Sequence, residues 1–284
     1  MSPVLFTIPG TQSEVSAYGF FIGLALVVGW IAALRLAARD GLPVDRLGTS
    51  YVVTIALALV AGRAAWLLMN PSAWQGWISL ITMQQGGVSA PAALACALLV
   101  AWVHVSRIGV PLAAWLDVLA PVLAAGVALE ATGALLGGTG FGRYAPDAAF
   151  AMRFPLGSPA YVAHATQLPG LLPRGATESL PVYPTQLVAL VGGVIGLLVA
   201  AQQRRHRKAP GQVALITAAQ LLAWRAFVEE PMRADRSEAS IGPLSRLQLL
   251  AAVLVVVFVL IARARARRAA APKSGRPPPA GAKR

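Results

Sequence analysis

Hydrophobic positions in this chain gather into seven long blocks, at roughly 16–38, 50–69, 88–106, 112–136, 185–202, 211–230 and 243–262. Glycine, proline or charge clusters separate them. Several blocks reach the roughly 20 residues that a helix needs to cross a bilayer. The pattern predicts an all-α fold, a polytopic bundle of seven transmembrane helices. No internal repeat is evident. Residues 1–262 read as one transmembrane domain, with a long connection at 137–184 and a separate tail at 263–284.

Composition agrees with the pattern. The 284 residues are 57% hydrophobic and 12% charged, about half the charge of a soluble domain. The core is therefore the helix bundle itself. The first block lacks a basic leader and is too long for a signal-peptide core, so it reads as a permanent span. The single cysteine, Cys96, lies in an apolar stretch and excludes an internal disulfide framework.

A net charge of +13 would suit a nucleic-acid binder, but the location of the charge argues against one. Eight of the 24 Lys and Arg follow Ile261: Arg263, Arg265, Arg267, Arg268, Lys273, Arg276, Lys283 and Arg284. No acid accompanies them. Such a tail is expected to be disordered, cytoplasmic and attracted to anionic lipid. Arg35, Arg39 and Arg46 at and beyond the end of the first block, Arg107 after the third, and Arg204, Arg205, Arg207 and Lys208 after the fifth belong on the same side. The stretches before Tyr18 and over 70–87 carry no Lys or Arg. Seven crossings with the N-terminus outside and the C-terminus inside satisfy this distribution.

The connection from Gly137 to Pro184 then falls outside. It is too long for an ordinary loop, and its Leu, Tyr and Phe content predicts a folded periplasmic cap. Trp74 and Trp77 suit an interfacial loop after the second block, where indoles anchor.

Ionisable residues inside hydrocarbon cost about 2.5–3.5 kcal/mol each on insertion scales and tend to mark function. Four inside predicted spans need explaining: Arg63, Glu130, Arg225 and Glu229. Arg225 and Glu229 are four apart and share a helical face. Mutual pairing that locks the bundle is one explanation. A polar cavity for a charged ligand is the other, and guanidiniums suit phosphate oxygens. Arg143 and Arg233, at the outer ends of the fourth and sixth blocks, would extend a cationic rim. A phosphate with apolar tails is a phospholipid.

Several stretches carry a resemblance to a known family. SAYGFFIGLALVVGW contains Tyr18-Gly19. AGRAAWLL contains Gly62-Arg63, and LDVLAP contains Asp117 and Pro121. GRYAPDAAFAMRFP opens on Gly142-Arg143. LPVYPTQL contains Pro184, Thr185 and Gln186, and WRAFVEEPMR contains Arg225 and Glu229. In this order they resemble the bacterial prolipoprotein diacylglyceryl transferases, from Tyr18 to about Ile261. That family moves a diacylglyceryl group from phosphatidylglycerol to the lipobox cysteine thiol of a preprolipoprotein, releasing glycerol-1-phosphate.

The resemblance implies a multi-pass protein of the bacterial inner membrane, acting as a monomer. Its partners would be phosphatidylglycerol and a lipobox peptide, with no nucleic acid, metal or organic cofactor. Carried over by position, Arg63, Arg143 and Arg225 would bind the phosphate or headgroup, and Glu229 would orient Arg225. Tyr18 and Gln186 would line the cavity.

The match departs from the family signature Gly-Arg-x-Gly-Asn-x-x-Asn-x-Glu. Counted back from Gly142, its arginine is Ala131, its asparagines are Ala134 and Gly137, and its acid is Thr139. Its helix glycine survives as Gly133. Pro91 stands where the family has a histidine in the third helix, and Tyr183 where it has one before the Pro-Ser-Gln element. Glu130 or His164 is then the candidate to replace the missing base. Three readings follow: a divergent transferase, a non-catalytic paralogue that binds anionic phospholipid or a lipoprotein precursor, and a small-solute transporter. The absence of repeats counts against the third.

Overall fold

The computed structural model describes residues 4–7, 14–80, 87–236 and 239–270. Eight α-helices order the described chain: α1 (Ala17–Arg39), α2 (Val44–Met69), α3 (Ala90–Arg107), α4 (Leu112–Gly137), α5 (Pro159–Gln167), α6 (Thr185–Arg205), α7 (Gln212–Ala223) and α8 (Arg246–Ala270). Two short antiparallel hairpins complete it, β1 (Val4–Thr7) with β2 (Glu14–Ser16) and β3 (Ala239–Ile241) with β4 (Leu244–Ser245).

Six of the helices, α1, α2, α3, α4, α6 and α8, are long and apolar enough to cross a membrane, at 18–26 residues each. The protein is a polytopic membrane helix bundle. The seventh expected span, 211–230, takes another form. It is a 12-residue α-helix, α7, that continues as a π-helix, Trp224–Glu229, and a 3-10 turn, Glu230–Met232. The outward faces of the long helices are aliphatic, with Val27, Val60, Leu98, Leu123, Leu198 and Val253 all exposed. In a bundle surrounded by lipid this is the expected arrangement.

Helix α1 packs on α4, α4 on α6, α6 on α7, and α7 on α8, while α2 and α3 pack chiefly on each other. Small residues permit these approaches. A Cβ on Gly193 would lie 2.7 Å from the Ala128 backbone nitrogen of α4. A Cβ on Gly192 would occupy the space of the Trp224 indole, whose Nε1 donates to the Val188 carbonyl at 2.8 Å. A buried cluster of Ala33, Ala37, Leu47, Val105, Trp115 and Val118 joins α1 to α4 near one end.

That same end holds one group of charges. Asp117, fully buried, accepts from the Gly211 and Ala214 N–H groups at 2.8 and 2.9 Å and so caps α7 from a neighbouring helix. Asp40 bridges Arg204 and Arg207 at 2.9 and 3.0 Å. Arg265 donates to the Pro210 carbonyl at 3.2 Å. This contact lies beyond the expected end of the last span. Helix α8 continues through Arg263, Arg265, Arg267 and Arg268 to Ala270, so the described part of the expected disordered tail is helical. Alternate alanines and arginines sustain helix well. Lys273, Arg276, Lys283 and Arg284 lie outside the described residues.

At the start of α8, Ser245 and Gln248 form a reciprocal capping box: Gln248 N–H donates to Ser245 Oγ at 3.3 Å and Ser245 N–H to Gln248 Oε1 at 2.9 Å. Gln248 Nε2 also donates to the Ala226 carbonyl within the π-helix, at 3.1 Å. The altered turn is thereby tied to its neighbour.

The connection 138–184 is folded around Phe154, Ala160 and Val182, with Phe141 against them. Short β-bridges pair Tyr144 and Met152 with Val182, and Pro155 with Glu178. Ser158 caps α5 by accepting from Tyr161 N–H at 3.2 Å.

Candidate functional site

Four helix ends meet at the opposite end of the bundle from Asp40 and Asp117, where α1 and α6 begin and α4 and the α7 extension finish. They enclose a cavity of about 300 Å³, lined by Tyr18 of α1, Glu130, Ala131 and Ala134 of α4, Thr139 and Gly140 beyond it, Thr185, Gln186 and Ala189 of α6, and Glu229 and Arg233. Gly133 permits the approach of α1 to α4, since a Cβ there would lie 2.7 Å from Phe21 Cβ. Gly138, at φ +69°, takes the left-handed conformation that ends α4 and turns the chain across the cavity.

The start of α6 is tied to that turn. Thr185 Oγ1 donates to the Gly140 carbonyl at 2.7 Å, and Gln186 Nε2 to the Thr139 carbonyl at 2.8 Å. Tyr18 hydroxyl hydrogen-bonds Glu130, and Glu229, Arg233 and Arg225 act on the Glu130 carboxylate through space.

The π-helix decides how the charges at the α7 extension are shared. The four-residue spacing predicts Arg225 with Glu229. In the wider π turn the shorter pair is Arg225 with Glu230, at 2.7 Å, while Glu229 lies 3.6 Å from Arg225 Nε. Glu229 instead accepts from Arg233 Nη1 at 2.9 Å. Arg233 also forms a two-pronged pair with Asp235, at 2.6 and 2.8 Å. The pairing holds the Asp235 carboxyl below its ordinary range and raises the Arg233 guanidinium further above its own.

Of the residues expected at the site, Tyr18, Glu130, Gln186 and Glu229 line the cavity together. Arg225 stands behind Glu229 and Glu230. Arg143 is exposed, its guanidinium 5.6 Å from the Tyr183 ring centre. Its neighbour Gly142 threads between two strands of backbone, with its N–H on the Tyr183 carbonyl at 3.1 Å. The Arg143 N–H is on the Met232 carbonyl at 2.8 Å.

Arg63 does not line the cavity. It is buried in α2, donating from Nε to the Ser79 carbonyl at 2.8 Å and from Nη1 to the Gly87 carbonyl at 3.1 Å, with its guanidinium 4.8 Å from the Trp66 ring. Backbone carbonyls of the following loop occupy it, so its work is to hold that loop to α2. Trp74 and Trp77 of the same loop pack edge to face at 5.6 Å.

His164 is likewise structural. It is buried in the folded connection, its Nδ1 accepting from the Leu180 N–H at 3.2 Å, and burial holds its pKa below the ordinary value. A histidine lowered in the folded state stabilises that state above its unfolded pKa, about 6.5, and ceases to do so as pH falls. Limited proteolysis within 138–184 is therefore expected to accelerate between pH 7.5 and pH 5.5. His164→Gln, which cannot titrate, is expected to flatten that difference. Equal cleavage of the parent at both pH values would contradict this.

Thr139 and Glu230 were not legible as site residues. Thr139 looked like a lost acid, and only the turn after Gly138 puts it in the wall. Glu230 had a visible signal, the doubled Glu229-Glu230, but its pairing needs the π turn.

The chain matches the model of the family described as prolipoprotein diacylglyceryl transferase over residues 3–263. This chain belongs to that family. It is 25% identical over 248 residues to a phosphatidylglycerol–prolipoprotein diacylglyceryl transferase of Streptomyces griseus, covering 86% of this chain and 69% of the relative. A protein of the same description from Streptomyces avermitilis is 29% identical over 112 residues, covering 38% of this chain and 32% of that one. Within the transferase fold, the positions that depart from the signature have physical addresses. Ala131 and Ala134, which stand for its arginine and first asparagine, both face the cavity, as does Thr139, which stands for its acid.

Proposed function

We propose that this chain transfers a diacylglyceryl group from phosphatidylglycerol to the lipobox cysteine of a preprolipoprotein, with Glu130 as the base. The observation that carries the reading is a carboxylate on Tyr18, in a cavity at a helix-bundle end, beside the Arg233-held Glu229. The thiol proton passes to Glu130, since the thiolate is the nucleophile. Sulfur attacks the terminal glyceryl carbon of the diacylglyceryl moiety and a C–S bond forms. The C–O bond to phosphate breaks, and its electron pair leaves with the oxygen of glycerol-1-phosphate. Positive charge near the leaving phosphate lowers the barrier, a role that suits the exposed Arg143. Arg225 and Glu229 act on Glu130 from behind, and Arg63 acts on the loop rather than on lipid.

In this reading α7 and its extension, Gln212–Met232, make the seventh crossing. The basic end with Asp40, Arg204 and Arg207 is cytoplasmic, the cavity opens toward the outer leaflet, and 138–184 is a periplasmic cap in a monomeric inner-membrane protein. The charge distribution supports this orientation.

A second reading has its own observation. Ala131 and Ala134 leave two polar groups of the signature out of the cavity wall, which suits a paralogue that binds lipid or precursor without turning it over. Complementation separates the two. The chain is expressed in cells depleted of their own transferase, and a reporter prolipoprotein is followed for its mobility change. Modification is expected. An unmodified reporter at normal membrane levels of the chain would leave the binding paralogue standing.

A further inference from the structure

Two oxygen atoms in the cavity residues have no partner. Gln186 Oε1 and Thr139 Oγ1 are buried and make no hydrogen bond among the described residues. The Gln186 amide cannot be reversed without loss. Its Nε2 donates to the Thr139 carbonyl, an atom that can only accept. Oε1 is therefore the open end, on a residue only 2% exposed. A buried acceptor without a donor is costly, and a donor brought by a ligand would relieve it.

The rest of the wall has the same character. Glu130 and Glu229 present carboxylate oxygens, and Tyr18 directs its hydroxyl to Glu130. Arg233 has Nε and Nη2 on Asp235 and Nη1 on Glu229. A phosphate, which only accepts, is poorly matched to such a wall, whereas a group rich in donors is well matched. Outside the cavity lining, Arg143 is exposed and bound to no carboxylate among the described residues.

We infer that Gln186 and Thr139 form a hydroxyl-reading subsite for the terminal glycerol of the donor lipid. This rests on the donor assigned above and deepens it. It assigns the choice of headgroup to two neutral oxygen acceptors rather than to an arginine clamp.

The test uses the full purified chain in detergent, with lipid retention followed by native mass spectrometry. Three lipids of identical acyl chains are compared: phosphatidylglycerol, phosphatidylpropanol, which keeps the phosphate and lacks both hydroxyls, and phosphatidylethanolamine. Phosphatidylglycerol is expected to bind about tenfold more tightly than phosphatidylpropanol, the size of one or two net hydrogen bonds. Phosphatidylethanolamine is expected to bind more weakly than phosphatidylglycerol, because the unpartnered Gln186 and Thr139 oxygens are uncharged and Arg233 already pairs with Glu229. Gln186→Met and Thr139→Val, each checked for unchanged melting, are expected to shrink the glycerol-to-propanol ratio to about twofold, as one acceptor is lost.

Equal binding of the first two lipids by the parent overturns the inference without any variant. So does a ratio that survives both substitutions, or a preference for the ammonium headgroup. Because binding needs no turnover, the outcomes separate. A chain that reads the hydroxyls through Gln186 but never modifies a prolipoprotein upholds the subsite and sinks the transferase reading. Modification with equal use of both lipids does the reverse, and no lipid binding at all sinks both.

Discussion

Glu130→Gln is expected to lower diacylglyceryl transfer by about two to four orders of magnitude, the range typical of a lost general base. The amide keeps the shape of the carboxyl and still meets Tyr18 but cannot take the thiol proton. The pH profile makes the expectation specific. A free cysteine thiol has a pKa of about 8.5 and ionises unaided as pH rises. Activity of the variant should therefore climb close to tenfold per pH unit up to about that value, narrowing the gap to the parent. The assay is transfer to a synthetic lipobox peptide at pH 6.5–9, with lipid retention measured alongside. A uniform deficit at every pH would assign Glu130 a structural part, and near-parental activity would place the base elsewhere.

Gly142→Ala is expected to destabilise the protein by about 2–3 kcal/mol, as overpacking against backbone does, and to abolish lipid transfer. A Cβ at Gly142 meets the Tyr183 carbonyl oxygen directly and lies 2.7 Å from that of Met232. Both are backbone atoms held by their own hydrogen bonds to Gly142 and Arg143. Neither can swing away as a side chain would. Separating them would part the segment before α6 from the α7 extension and move Gln186, Glu229 and Arg233 apart. Gly23→Ala provides the contrast, because a Cβ there meets nothing within 4 Å and alanine favours helix. Thermal unfolding in detergent, followed by tryptophan fluorescence, compares the two. If they melt together, the chain crossing at Gly142 is looser than its geometry indicates.

Gly142 also shows why a motif can be visible before its reason is. The pair Gly142-Arg143 stood out as a signature of family resemblance, and the arginine drew the functional reading. The glycine has the firmer physical requirement, set by carbonyls some 40 and 90 residues further along the chain. Arg63 is the converse. An arginine deep in an apolar helix marked a ligand by cost alone, yet the carbonyls of Ser79 and Gly87 were available to bind it. Sequence cannot tell a carbonyl partner from a lipid one, because carbonyls are in every residue.

The apolar blocks by themselves determined that this is a membrane helix bundle, because crossing hydrocarbon requires one long segment that satisfies its own backbone, which is a local property. They also marked Glu130 and Glu229 as charges inside spans, while Tyr18 and Gln186 were reached only through the family resemblance. Tertiary structure alone decided which of these share a cavity and which arginine serves it. That choice depends on a π turn that shifts Arg225 to Glu230 and hands Glu229 to Arg233, and on glycine contacts that bring α1, α4 and α6 together. Spacing along one helix fixes a face only while the turn keeps its ordinary pitch. At this site it does not.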